Sequence, residues 1–139
     1  MSQPRVSGAT ARPGAARLWS APLRRDPTEL AHVRRSAARL FAGHPPELVA
    51  DIQLVISELV TNALTHADHG PVQVTIVRAD DHVAIHVTDE GEGKVAMRDP
   101  SLDGGGGLGL HIVEAISRAW GAEPGPPTHV WARVGTADQ

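Results

Sequence analysis

Between Pro46 and His66 the apolar residues Leu48, Ile52, Val55, Ile56, Leu59 and Ala63 recur at helical spacing, and just beyond Gly70-Pro71 the period changes to two. Val72, Val74 and Ile76 alternate with other residues, as do Val83, Ile85 and Val87, with Ala79-Asp80-Asp81 between the two runs. A helix with one apolar stripe followed by a hairpin with one apolar side can bury both only by stacking helix on sheet, so the pattern predicts a layered α/β domain.

The remaining elements are read the same way. Arg17 to Leu23 reads as an edge strand. Asp26-Pro27-Thr28-Glu29 reads as a helix start, with Asp26 as cap, Pro27 in the first turn and Glu29 where a capping box wants an acid. That helix is expected to run to about Ala42 and end at Gly43, since Leu30, Val33, Ala37, Leu40 and Phe41 keep its period. Leu108 to Trp120 reads as a third helix with Leu108, Ile112, Ala115, Ile116 and Ala119 inward. Pro124 to Pro127 reads as a turn, and Thr128 to Val134 as the last strand. Residues 1–15 lack periodicity and are expected to form a disordered basic leader; residues 16–136 are expected to form one domain.

Composition excludes several chemistries. With no cysteine among 139 residues there is no disulfide, thiol catalysis or cysteine-held zinc. Five arginines and no acid precede residue 26, leaving the rest at roughly −8, which argues against nucleic-acid binding by the folded part. No apolar run of transmembrane length and no secretory signal is legible, so the expectation is a cytoplasmic protein that does not enter a membrane.

Three polar segments carry the chemistry. Glu58 and Asn62 stand one turn apart at the margin of the apolar stripe, within the polar line Asp51, Glu58, Asn62 and Thr65. Such a pair is common on any helix edge, but an amide oxygen is also a hard ligand suited to Mg²⁺ beside phosphates, and a carboxylate one turn away can take a proton. Asp89, with Gly91 and Gly93, follows directly on a strand; this is ordinary turn composition, or a carboxylate placed to accept from an exocyclic amine while glycines let backbone approach a flat base. The run Gly104 to Gly109 matches G-x-G-x-x-G, but no buried strand precedes it, so a dinucleotide fingerprint is rejected. Glycines entering a helix still present unpaired N–H groups to a phosphate. The eight histidines show no third close metal ligand and are expected to be surface or partly packed residues.

In this order the segments resemble the N, G1 and G2 boxes of the GHKL ATPase superfamily: Glu58-Leu59-Val60-Thr61-Asn62-Ala63, Asp89-Glu90-Gly91-Glu92-Gly93 and Gly105-Gly106-Gly107-Leu108-Gly109-Leu110. Within that superfamily the chain more closely resembles the small anti-sigma-factor serine/threonine kinase-like proteins of actinobacteria, over about residues 17–134. The resemblance implies the Bergerat fold, a two-layer α/β sandwich with a mixed, mostly antiparallel sheet and three helices on one face. It also implies ATP between helices and sheet under a lid from about residue 93 to 107. By the same resemblance Glu58 is the catalytic base, Asn62 holds Mg²⁺, and Asp89 reads adenine. Gly91, Gly93, Gly105, Gly107, Leu108, Gly109 and Leu110 shape the nucleotide pocket, and Thr128 supplies the hydroxyl near the base. Gly106 stands where relatives often carry arginine or histidine, and Lys94 and Arg98 are the basic residues that would substitute at the phosphates. The implied activity is phosphorylation of a serine on an anti-sigma-factor antagonist; a sigma factor and a second copy of the chain are the other implied partners. No long dimerising helix with a phosphoacceptor histidine is legible ahead of the domain. The rival reading is a non-catalytic module that switches partner affinity with ATP.

Overall fold

A computed structural model describes residues 16–24, 26–66, 71–90, 108–125 and 127–136. The leader, the expected lid and Gly91, Gly93, Gly105 and Gly107 lie outside them. The described elements are β1 (Ala16–Leu23), α1 (Pro27–Leu40), α2 (Pro46–His66), β2 (Val72–Arg78), β3 (His82–Asp89), α3 (Leu108–Ile116), β4 (Ala119–Glu123) and β5 (Thr128–Gly135). The strands form one sheet in the order β1-β2-β3-β5-β4, and every described pairing is antiparallel.

The expected layering holds because each apolar face has a matching one. Val33, Ala37 and Phe41 from the first helical segment join Ile52, Val55, Ile56, Leu59, Val60 and Ala63 of α2, and both pack over Val72, Val74, Ile76, Val83, Ile85, Val87, Val130, Ala132 and Val134 of the sheet. Alternation along the strands places those sheet residues on one side, toward all three helices. The central helix, α2, touches β2, β3, β5, α1 and α3. It is long and apolar enough to cross a membrane by length and composition, contrary to the sequence reading. Its apolar stripe is instead spent on this core, as expected of the central helix of a layered domain. Polar links tie it to α1: Arg34 Nη1 donates to Ser57 Oγ at 2.7 Å, and Gln53 Nε2 donates to the Arg34 carbonyl at 2.9 Å.

Two boundary expectations are corrected. The first helix stops at Leu40 with Phe41 as its cap, so Gly43 lies in the following turn. Its start is as expected: Asp26 caps the helix, accepting from the N–H and the hydroxyl of Thr28, both at 2.9 Å, with Pro27 and Glu29 in the first turn. The third helix ends at Ile116; Leu110 and Val113 are buried among its described side chains, and Ala115 is exposed. Beyond it the Arg118 N–H donates to the Arg133 carbonyl at 2.8 Å, and Ala119–Glu123 continue as an edge strand paired with β5. That pairing is tight, since a Cβ on Gly121 would meet the Trp131 ring at 2.7 to 2.8 Å.

Much of the side of the sheet away from the helices is half-buried or exposed, but three of the histidines expected to be surface or partly packed are buried there. His82, His86 and His129 are each about 95% inaccessible. His86 Nδ1 and His129 Nε2 lie 3.0 Å apart. Burial, then the charges of His129 and Arg133, push the His86 imidazole down to about 4 from its ordinary 6.5. A group whose folded value lies below its unfolded value favours folding above the unfolded value, and that preference disappears as pH falls through the interval. Stability is therefore expected to drop by about 3 kcal/mol between pH 6.5 and pH 4 from this group. Urea midpoints measured across that range should fall in the wild type and fall less in His86→Asn; equal slopes would remove His86 as the cause.

Candidate functional site

Two pairs of polar residues border the layer between sheet and helices. The first is set by strand register. Asp89 closes β3 and Thr128 opens β5, and the two are direct cross-strand partners. Both continue the inward parity, Asp89 after Val83, Ile85 and Val87, and Thr128 before Val130, Ala132 and Val134, so both project toward the helices. They are about 95% and 98% buried, which is unusual for an acid and a hydroxyl unless each has polar company. Part of that company is visible: Thr128 Oγ1 accepts from the Gly125 N–H at 3.2 Å. The turn that carries this bond requires glycine, because a Cβ on Gly125 would overlap the Pro127 backbone.

The second pair sits on α2. Glu58 and Asn62 are half-buried, between the fully buried Leu59 and Ala63 side and the solvent side of the helix. Asp51 shares their half-buried margin, whereas Thr65 is exposed. α2 lies on β3 and β5 and against α3, so the helix that carries the second pair covers the two strands that carry the first. Leu110 anchors the first turn of α3 in that layer, 3% exposed, while Leu108 and Gly109 open the helix.

The donor set suits a hard cation shared with a ligand rather than a closed metal site. Among the described residues no group of three or more His, Asp or Glu side chains could hold a metal. Asn62 offers one amide oxygen, which fits Mg²⁺ because that ion takes few protein ligands and completes its shell with phosphate and water oxygens. A carboxylate and a hydroxyl adjoining each other at the strand ends offer an acceptor and a donor to a base edge.

Together these features define a two-layer α/β domain with polar residues at the margin of its central helix and at the adjoining ends of two strands beneath it. Residues 23–133 match the histidine kinase-like ATPase domain, and the chain belongs to that family, as an ATP-binding, kinase-like domain of the GHKL fold. It is similar to the sensor histidine kinase MtrB of Mycobacterium tuberculosis, 34% identical over 95 aligned residues that cover 53% of this chain and 17% of that protein. The MtrB of Mycobacterium leprae is 33% identical over the same span and shares. The chain thus accounts for about a sixth of the length of these relatives. The fold resembles that of the histidine kinase AdeS of Acinetobacter baumannii, with a TM-score of 0.51 at 16% identity, covering 88% of this chain and 70% of that one.

Sequence reasoning did not bring out the polar set on the far side of the sheet, Glu123, His129 and His86. The alternation of His82 and His86 with Val83, Ile85 and Val87 was the available signal for their strand placement. Their mutual contact depends on the β3–β5–β4 register, which alternation alone does not encode.

Replacing Thr128 with Val keeps the branched shape but removes the acceptor for the Gly125 N–H. Thr128→Val is expected to cost about 1–2 kcal/mol in urea unfolding, and Thr128→Ser clearly less. Equal stability of all three proteins would show that the bond does not hold the turn.

Proposed function

We propose that this domain binds MgATP between helices and sheet and transfers the γ-phosphoryl group to a serine or threonine hydroxyl of a small partner protein, an anti-sigma-factor antagonist, with a sigma factor as a second partner. The observation that carries the reading is the placing of two pairs on packed elements: Asp89 beside Thr128 at the strand ends, and Glu58 one turn before Asn62 on the helix lying over the same strands.

Each role follows from the chemistry of the side chain. The Asp89 carboxylate accepts from the adenine exocyclic amine, and Thr128 contributes its hydroxyl at the same edge. Guanine presents a carbonyl where adenine presents the amine, so a carboxylate there repels it. Asn62 holds Mg²⁺, which neutralises phosphate charge. Gly107 and Gly109 bracket the start of α3, whose first N–H groups point toward a phosphate. Glu58 takes the proton from the partner's hydroxyl as its oxygen attacks the γ-phosphorus, the bond to the β-phosphate oxygen breaks, and ADP leaves. Catalysis of this type depends mostly on positioning and charge, with the base adding typically about 10² to 10⁴ in rate.

The similarity to sensor histidine kinases supports a second reading, in which the same site delivers the phosphoryl group to a histidine of a partner or of a neighbouring domain. A third is the non-catalytic module that changes partner affinity with ATP. The three separate on product chemistry. A phosphoserine survives acid and a phosphohistidine does not.

Calorimetry with Mg²⁺ is expected to show binding of ATP and ADP and little of GTP, with Asp89→Ala weakening both adenine nucleotides. Asn62→Ala should abolish the Mg²⁺ dependence. Glu58→Gln should bind ATP like the wild type yet lose 10²-fold or more in phosphorylation of an antagonist protein, about the share of a base. Acid-labile product would replace the serine reading with the histidine one. No phosphoprotein at all, with partner affinity still responding to ATP, would leave the switch.

A further inference from the structure

Glu123, His129 and His86 form a line across three strands on the side of the sheet away from the helices. Glu123 Oε1 lies 3.6 Å from His129 Nδ1, and His129 Nε2 lies 3.0 Å from His86 Nδ1. The imidazole planes differ by 9° and their centroids are 5.2 Å apart. A ring nitrogen sits about one ring radius from its centroid, so the 3.0 Å between nitrogens plus two radii nearly accounts for the centroid distance. The rings therefore meet edge to edge in almost one plane, joined by an N–H···N hydrogen bond, and are not stacked face to face. His86 Nε2, at the end of the line, is buried with no partner among the described residues.

The line ends where the candidate site begins. Glu123 and His129 are cross-strand partners flanking the Pro124–Pro127 turn, and the same turn carries the Gly125 bond to the Thr128 hydroxyl. Thr128 and His129 are consecutive in β5, so one projects toward the helices and the other toward the far side. Fixing the His129 ring thereby fixes the strand backbone that aims Thr128.

We propose that His86 and His129 are positioning residues for the nucleotide site: their hydrogen bond on the far side of the sheet holds the β4–β5 turn and the Thr128 hydroxyl in place, and loss of that bond in acid weakens adenine-nucleotide binding. This rests on the reading that Thr128 contacts the nucleotide. With no charge or one charge on the pair, one facing nitrogen donates and the other accepts, so the bond survives. When both rings are charged, both facing nitrogens carry hydrogens and the bond breaks. The second proton is opposed by burial and by positive charge nearby. Among the described residues, the charged or titratable groups on this side are Arg133 and His129 of β5, Glu123 of β4, His82 of β3 with its neighbour Asp81, Arg118, whose guanidinium lies over Gly135 and pairs with Asp81 at 3.2 Å, and Arg17 of β1; β2 contributes only the uncharged Gln73, Thr75 and Val77.

The test has an arm without nucleotide and an arm with it. In ¹⁵N-labelled protein near pH 6, a scalar coupling across the hydrogen bond between His86 Nδ1 and His129 Nε2 is expected; its absence overturns the proposal. In calorimetry with ATP and Mg²⁺ at pH 7.5, His86→Asn, whose amide occupies the place of Nδ1, should bind within about twofold of the wild type. His86→Ala should bind about tenfold more weakly, the equivalent of one hydrogen bond. Between pH 6.5 and pH 4 the wild type should lose more affinity than His86→Asn; every other titratable group is common to the two proteins, so the difference isolates the histidine pair. A folded His86→Ala that binds like the wild type, or identical acid profiles for the wild type and His86→Asn, would overturn the proposal. If His86→Ala does not fold, the coupling and the His86→Asn profile still decide. Failure of the wild type to bind ATP at pH 7.5 would instead remove the nucleotide reading itself, and this proposal with it.

Discussion

Burial of the α2 stripe on the sheet is the constraint from which the rest of the structure follows. Ile52, Val55, Ile56, Leu59 and Val60 are fully inaccessible, each worth about 1.5–3 kcal/mol relative to exposure. A single stripe of that strength fixes the rotation of the helix about its own axis. Once the rotation is fixed, Glu58 and Asn62 can only stand at the stripe's margin. The chemistry of the site is thus inherited from packing: a turn of α2 by one residue would carry both side chains away from that margin and expose Leu59.

The sheet performs a similar service through its two sides. Inward parity brings Asp89 and Thr128 to the helices at adjoining strand ends. Outward parity gathers Glu123, His129 and His86 into one line behind them. A strand in such a sheet transmits position from one side to the other over a single residue, because neighbouring side chains share a backbone that the ladder holds on both edges. The β4–β5 hairpin is where this matters most, since it is short, ends at the sheet edge and carries the turn that touches Thr128.

Much of this was legible in the sequence, and the gaps have physical causes. The β2–β3 hairpin was readable because both strands alternate cleanly around Ala79-Asp80-Asp81, so register follows from local pattern. The α2 stripe was readable for the same reason. The boundary between α3 and β4 was not, because Ile116, Ala119 and Trp120 prolong the apolar string past the helix end. What stops the helix is non-local: the Arg118 backbone finds the Arg133 carbonyl, and Gly121 leaves room for the Trp131 ring. Burial of His86 was equally out of reach, since it depends on neighbours from another strand. For the candidate site, residue types and their order were legible at Glu58, Asn62 and Asp89, and the cross-strand pairing of Asp89 with Thr128 came only with the sheet register.

The central claim is that a nucleotide lies between α2, α3 and the ends of β3 and β5. A crystal structure of the protein with a non-hydrolysable ATP analogue and Mg²⁺ tests it most directly. The account predicts the adenine amine on Asp89, the Thr128 hydroxyl at the base, the metal on the Asn62 amide oxygen and the phosphates at the first turn of α3. An analogue bound with its base away from Asp89, or with its metal held without Asn62, would contradict it.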